Sequence, residues 1–295
     1  MTEKPAQPID PYLEREYDVR KLRSDFDDIG KGWAARSAAF RAGVQCSLDV
    51  AYGSENRQRL DIFHSGRANA PLHVFIHGGY WQRGDKSVYS FVAEPFVARG
   101  CDVCLVNYTL CPTGNIPRIT DEIAQVLAYL WRNADRLRIN RDSIHLSGHS
   151  AGGHLTGMML AKSWKELGKD LPENLLASGL PMSGLYDLDP LRSTTISDAL
   201  GLDDASTRSH SPMFLAPASA APVLVILGDG ETTEFHKQSD AFCKAWEPRG
   251  VKLEYYAEPQ VDHFDLLNRM ADDQSELFRR MLGWIEDASA GSRRK

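Results

Sequence analysis

Short apolar runs alternate with helical patterns along most of the 295-residue chain, and this alternation limits the folds available to it. The runs expected to form internal strands are Leu72–Ile76, Val103–Val106, Ile144–Leu146, Leu180–Met182, Val223–Leu227 and Leu253–Tyr256. Strands that are apolar at nearly every position are typical of a parallel sheet with helices on both faces. Since no internal repeat or linker interrupts the pattern, the sequence predicts a single α/β domain over residues 1–295.

The ends of the chain differ from this alternating core. Residues 1–43 contain a charged, helix-prone stretch and predict an N-terminal helical extension, which acts as a lid or joins a homo-oligomer interface; the sequence leaves both open. Val44–Ala51 and Arg59–Phe63 flank a Gly-Ser-Glu-Asn turn and predict an antiparallel edge hairpin. One helix is expected from Phe264 to Ile285, followed by a flexible tail over 288–295.

Charge and composition narrow the classes of function. The formal net charge is −6, which argues against a nucleic-acid partner because such proteins usually present a basic face. No run approaches the roughly 18–20 apolar residues of a membrane-spanning helix, and no secretory signal is visible, so no membrane partner is expected. Five cysteines at irregular spacing do not indicate a disulfide framework, which favours a cytoplasmic location.

A Gly-x-Ser-x-Gly sequence supplies the candidate nucleophile. Residues 148–152 read Gly-His-Ser-Ala-Gly, directly after a predicted strand and directly before a helical pattern. In this setting a tight turn projects the serine hydroxyl above the edge of the sheet, and small flanking residues allow the turn. Ser150 is therefore the predicted nucleophile, and a serine hydroxyl in this role needs a base and an orienting carboxylate.

The base and the acid are expected downstream of this serine, in the order acid and then histidine. His263 fits the base because it lies in a loop between the last predicted strand and the last predicted helix. The acid should follow Val223–Leu227, where Asp229 and Glu231 are equally well placed. Glu234 suits a helix start instead, since an acidic side chain there is favoured by the helix dipole.

The donors for an oxyanion are expected after the strand Leu72–Ile76, where the chain reads His-Gly-Gly-Tyr-Trp. Glycines in such a loop allow close backbone approach to a substrate. The backbone amides of Gly79, Tyr80 and Ala151 are the predicted oxyanion donors. The aromatic side chains of Tyr80 and Trp81 are predicted to form a wall against an aryl substrate, because ligand pockets are commonly lined by such groups.

These motifs together resemble the kynurenine formamidase (arylformamidase) branch of the α/β-hydrolases, which is related to hormone-sensitive-lipase-like esterases. The resemblance extends from about Tyr12 to Ile285. The segments that carry it are His77–Trp81, Gly148–His154, Ser183–Leu188, Glu231–Phe235 and Val261–Phe264. It implies an α/β-hydrolase fold, and it adds Gly78 and Tyr186 to the candidate substrate-binding residues.

The resemblance also implies an activity. In this family the triad acid opens an acid-x-x-Glu-Phe pattern, which assigns the acid to Glu231 and leaves Asp229 as a loop residue. The implied reaction is hydrolysis of N-formyl-L-kynurenine to L-kynurenine and formate by a metal-independent serine hydrolase without a cofactor. The alternatives are a carboxylesterase, carbamate or amide hydrolase acting on another aryl substrate and, from a different class, a non-catalytic ligand-binding protein of the same fold.

Overall fold

The computed structural model of the protein describes residues 7–292 and contains an eight-stranded sheet in the order β1-β2-β4-β3-β5-β6-β7-β8. The strands are β1 (Cys46–Ala51), β2 (Arg59–Phe63), β3 (Leu72–Ile76), β4 (Asp102–Val106), β5 (Ile144–His149), β6 (Ser178–Met182), β7 (Val223–Gly228) and β8 (Leu253–Glu258). β2 pairs antiparallel with β1 and β4, and the other pairings are parallel. The mostly parallel sheet and the antiparallel edge hairpin are thus confirmed.

Helices surround this sheet. Those in the described residues are α1 (Pro11–Tyr17), α2 (Phe26–Gly43), α3 (Glu94–Ala98), α4 (Ile116–Arg132), α5 (Ala134–Leu137), α6 (Ala151–Leu160), α7 (Trp164–Leu167), α8 (Asp204–Ser209), α9 (Thr233–Trp246), α10 (Asp265–Met270) and α11 (Glu276–Ser292). Every residue of β3 to β7 is buried, because helices cover the sheet. Among the residues that the structure describes, no helix is both long enough and apolar enough to cross a membrane.

The longest connecting helix shows how local sequence sets its ends. The side chain of Asn115 accepts a hydrogen bond from the Arg118 amide at 2.9 Å and so caps the start of α4. Pro117 lies in the first turn, where a missing amide hydrogen costs nothing. Ile119, Ile123 and other apolar residues at helical spacing are buried against the sheet, as the pattern predicts.

The single helix expected from Phe264 to Ile285 is wrong, because the structure breaks it between Met270 and Glu276. Ser275 is the physical cause. Its hydroxyl donates to the Arg269 carbonyl oxygen at 2.6 Å and accepts from the Phe278 amide at 3.0 Å. One side chain thereby ends the first helix and caps the second.

The flexible tail expected over 288–295 is in part helical. α11 continues through Ser292, and residues 293–295 lie outside the described part of the chain. Ser289 is buried, and its hydroxyl lies 2.7 Å from that of Ser143. This contact joins the last turns of α11 to the chain just before β5.

Candidate active site

Ser150 lies in the tight turn between β5 and α6, as the motif predicts. Its backbone has φ +58°, a conformation that non-glycine residues rarely adopt and that surrounding contacts must hold in place. One such contact is the hydrogen bond from the Ser150 amide to the Met182 carbonyl oxygen, at 2.9 Å. The turn thus presents Ser150 at the carboxyl end of the sheet.

The structure brings His263 and Glu231 together. Nδ1 of His263 lies 2.7 Å from Oε2 of Glu231, whose side chain is fully buried. Asp229, the other carboxylate that the loop offers, is exposed. A buried carboxylate beside Nδ1 can hold the imidazole in one tautomer and stabilise its protonated form.

His149 connects the turn that carries Ser150 (the serine turn) to the loop that carries His263 (the histidine loop). Its Nε2–H donates to the carbonyl oxygen of His263 at 2.8 Å, and the two imidazole rings lie 4.5 Å apart. Burial lowers the pKa of His149 well below its ordinary value, so this ring is neutral. The residue before Ser150 therefore positions the backbone of His263.

The loop that carries Gly79 and Tyr80, two of the predicted oxyanion donors, runs beside Ser150, and the third, Ala151, follows Ser150 directly. A methyl group built on Gly78 would lie 3.0 Å from Cβ of Ser150, so this loop runs directly past the serine. Gly79 has φ +113°, which a side chain would strain, and Tyr80 also has a positive φ of +50°. Ala151 begins α6, where a backbone amide has no carbonyl partner within the helix.

Two of the predicted substrate-binding side chains are covered. Trp81 is fully buried with its ring edge-on to His154 at 4.9 Å, and Tyr186 is fully buried and stacked on Phe242 at 4.2 Å. Gly78 and Tyr80 are also buried, and Tyr80 borders a cavity. Substrate contact with Trp81 or Tyr186 would require a rearrangement, and their binding role stays a prediction.

The N-terminal extension contacts the loops around the site. Tyr80 Oη donates to the Tyr17 carbonyl oxygen at 2.5 Å, and the Thr232 hydroxyl donates to that of Glu16 at 2.8 Å. Arg23 contacts the carboxylate of Asp262, next to His263. Only 3% of Ser150 and 4% of His263 is exposed. The extension is therefore bound to three loops. They are the oxyanion loop (His77–Trp81), the loop that carries Glu231 (the acid loop) and the loop that carries His263.

Two cavities differ in their relation to this site. A cavity of about 470 Å³ lies beside Tyr80, between residues 18–27, Arg83 and Ile196. A larger one of about 850 Å³ lies near the amino ends of the parallel strands, with Trp131 and Trp284 in its lining. Of these two, the smaller cavity adjoins the oxyanion loop. Within residues 7–292, no group of three or more His, Cys, Asp or Glu side chains is arranged to hold a metal ion.

Two polar contacts in this site were not predicted from the sequence. One is the bond from His149 to His263, and the other is a bond from the hydroxyl of Ser183 to Oε1 of Glu231. Ser183 follows β6 directly, just as Ser150 follows β5. Its place at the carboxyl end of a parallel strand was the available signal, since site residues of α/β proteins collect at that edge.

Known proteins resemble this chain over most of its length. The kynurenine formamidase of Danio rerio is 29% identical over 252 residues, which cover 83% of this chain and 84% of that protein. The kynurenine formamidase of Salmo salar is 28% identical over 288 residues, covering 92% of this chain and 96% of that protein.

A family match and a solved structure agree with these relatives. Residues 60–180 match the BD-FAE family. A Silicibacter sp. TM1040 protein, provisionally described as a thioesterase, has a TM-score of 0.81 and 29% identity, covering 93% of this chain and 98% of that one. This chain is therefore a serine-hydrolase-type enzyme with the α/β-hydrolase fold that resembles the kynurenine formamidases.

Proposed function

We propose that this enzyme hydrolyses the formyl amide of N-formyl-L-kynurenine, releasing L-kynurenine and formate. The observation that carries the proposal is the contact of His263 Nδ1 with the buried Glu231 carboxylate, 2.7 Å long, beside the Ser150 turn. The kynurenine formamidase relatives support the choice of substrate. The broader activity, hydrolysis of an ester or amide, is supported by the likeness to the kynurenine formamidases and to the protein described as a thioesterase.

In the first half of the proposed reaction, Oγ of Ser150 attacks the formyl carbon while Nε2 of His263 accepts the hydroxyl proton. Glu231 stabilises the imidazolium that forms. The amides of Gly79, Tyr80 and Ala151 donate hydrogen bonds to the carbonyl oxygen as it becomes negative. His263 then gives its proton to the aniline nitrogen, the C–N bond breaks, and a formyl ester of Ser150 remains.

In the second half, a water molecule attacks the formyl ester. His263 accepts a proton from this water, and the amides that held the first oxyanion hold the second. The proton returns to Oγ of Ser150 as formate leaves, so the enzyme is restored without a cofactor in the proposed scheme. The covered position of Ser150 favours formyl, the smallest acyl group, over longer ones.

The test compares N-formyl-L-kynurenine with p-nitrophenyl acetate, using the wild-type protein and Ser150→Ala as the blank. The proposal expects Ser150-dependent deformylation with kcat/KM of about 10⁴ M⁻¹s⁻¹ or higher. Ser150-dependent ester cleavage without deformylation would indicate that the natural substrate is another aryl ester, amide or carbamate. No fluorophosphonate labelling at Ser150 would instead favour a ligand-binding protein of the same fold.

A cytoplasmic location is part of this proposal. All five cysteines are free thiols, and three of them, Cys101, Cys104 and Cys111, are buried. Burial raises the pKa of Cys101 to about 12 and that of Cys111 to about 11. Unpaired thiols of this kind are ordinary in a reducing compartment.

A further inference from the structure

Ser183 has an unusual position at the end of β6. It is fully buried, and it adopts φ +48°, a region that disfavours a side chain. Its amide donates to the Ile226 carbonyl oxygen at 2.8 Å, which fixes its backbone against β7. A glycine would adopt this conformation more readily. We therefore expect the hydroxyl group of this serine to have a specific role.

The hydroxyl contacts one oxygen of a single carboxylate. It donates to Oε1 of Glu231, which also accepts the Gly228 amide at 3.0 Å, and Oε2 is left for His263. A buried carboxylate requires hydrogen bonds to offset the loss of water. Hydrogen bonds donated to a carboxylate also stabilise its charged form. The two donors therefore hold the first oxygen of Glu231 in place and turn its second oxygen towards the imidazole.

The same strand end also holds the nucleophile turn. The carbonyl oxygen of Met182 accepts the Ser150 amide at 2.9 Å, and the next residue is Ser183. Two consecutive residues, the last of β6 and the one that follows it, thus connect the serine turn to the acid. Such a connection fixes the relative placement of groups that belong to different loops.

We propose that Ser183 is a positioning residue that acts through Glu231 to set the orientation and basicity of His263. This inference rests on the proposed function, in which Ser150, His263 and Glu231 form the catalytic triad. The role requires the hydroxyl group itself. Filling space at the end of β6 would not account for it.

The first test compares Ser183→Ala with Ser183→Gly, using p-nitrophenyl acetate as substrate. Both variants lack the hydroxyl, but glycine relieves the positive φ and alanine does not. We expect kcat to fall about 10- to 100-fold in both, as for loss of a hydrogen bond to a charged group, with little change in KM. The acidic limb of the pH–rate profile should move to higher pH in both variants, because Glu231, with one donor fewer, then interacts more strongly with the protonated imidazole.

Ser178→Ala is the matched control. Ser178 is the fully buried serine at the start of β6, but its hydroxyl contacts His145 at 2.8 Å instead of Glu231. This variant should keep the wild-type kcat and pH profile even if it lowers stability. The proposal is overturned if the two Ser183 variants match Ser178→Ala in both measurements, or if glycine restores the activity that alanine loses.

The second test asks whether Ser183 acts through Glu231. In a Glu231→Gln background, Ser183→Ala should cause no further loss of kcat, because residues that act as a unit are not additive. A further loss equal to that in the wild-type background would overturn the proposal.

A measurement without turnover separates this inference from the proposed function. The downfield proton NMR signal of the His263 Nδ1–H group reports its bond to Glu231 directly. Ser183→Ala should shift this signal, whereas Ser178→Ala should not. Failure to cleave N-formyl-L-kynurenine, or retention of esterase activity by Ser150→Ala, would contradict the proposed function and leave this NMR result to decide the role of Ser183.

Discussion

At the residue scale, His263 is restrained on several sides. Its backbone carbonyl accepts the bond from His149, and its Nδ1 contacts Glu231. The ring of Phe235 lies 4.7 Å from the imidazole, and that of Phe264 meets it edge-on at 5.4 Å. Packing on these sides leaves the imidazole little freedom to rotate, which is what a base that transfers a proton in a fixed direction requires.

Substitutions of Glu231 and Asp229, the two carboxylates of the acid loop, should affect activity differently. Glu231→Gln keeps the shape of the side chain but removes the charge beside Nδ1, so we expect kcat to fall about 10³- to 10⁴-fold. Asp229→Asn changes an exposed group and is the matched control, with activity near wild type. Steady-state kinetics on p-nitrophenyl acetate check this. The reverse ranking would assign the acid to Asp229.

Substitution of Trp81 can distinguish a role in core packing from a role in substrate binding. Because its side chain is fully buried, Trp81→Ala should lower the free energy of unfolding by about 3–5 kcal/mol, measured by urea denaturation. Trp81→Phe keeps most of the buried aromatic volume and should cost less. If the alanine variant kept its stability and lost activity only on aryl substrates, Trp81 would be a binding residue that opens to solvent.

At the element scale, the N-terminal extension is attached at several points to loops that carry the site. Arg23 contacts Asp262 and also Asp265, the latter at 2.9 Å, while Phe26 packs edge-on against Phe264 at 4.8 Å. Farther along, the buried Ser37 hydroxyl donates to the Val88 carbonyl oxygen at 2.7 Å. The second half of the extension is thus part of the core packing, and the first half contacts the loop that carries His263.

This arrangement predicts that the segment before α2 limits access to Ser150. Arg23→Ala removes its ion pairs with the histidine loop, so the segment should open more often. We expect a bulky fluorophosphonate to label Ser150 faster in this variant, relative to its rate of p-nitrophenyl acetate hydrolysis. Lys31→Ala, which removes an exposed pair with Asp28 in α2, is the matched control. An unchanged ratio in Arg23→Ala would contradict a covering role.

At the scale of the whole molecule, buried histidines make stability depend on pH. Burial lowers the pKa of His73, His145 and His154 to about 3 each, and that of His77 to about 4. In the unfolded chain these side chains have the ordinary value of about 6.5. Between these values the unfolded state binds protons that the folded state does not, so acid favours unfolding.

The protein should lose stability as the pH falls. Stability from these groups is fully present above about pH 6.5 and falls as the pH drops towards 4, by about 1.4 kcal/mol per pH unit for each histidine. Urea denaturation between pH 8 and about pH 5 checks this. His145→Asn should reduce the slope, whereas His236→Gln, at a half-exposed helix position, should not. A flat profile in the wild-type protein would contradict the prediction.

The sequence by itself determined the strands, their parallel arrangement and the turn that carries Ser150. These features depend on periodicity and turn chemistry within a few residues, which a local pattern contains. The position of His263 could be predicted for a similar reason, since chain order places it after the last strand. The residues alone left Asp229 and Glu231 open, and the family resemblance favoured Glu231.

Only the tertiary structure decided which side chains meet. The contact of Glu231 with both His263 and Ser183 depends on how the ends of three strands are placed in space, which no local pattern contains. The burial of Trp81 and Ser150 could not be predicted from the sequence either. Burial depends on segments that are distant in sequence and meet only in the folded chain.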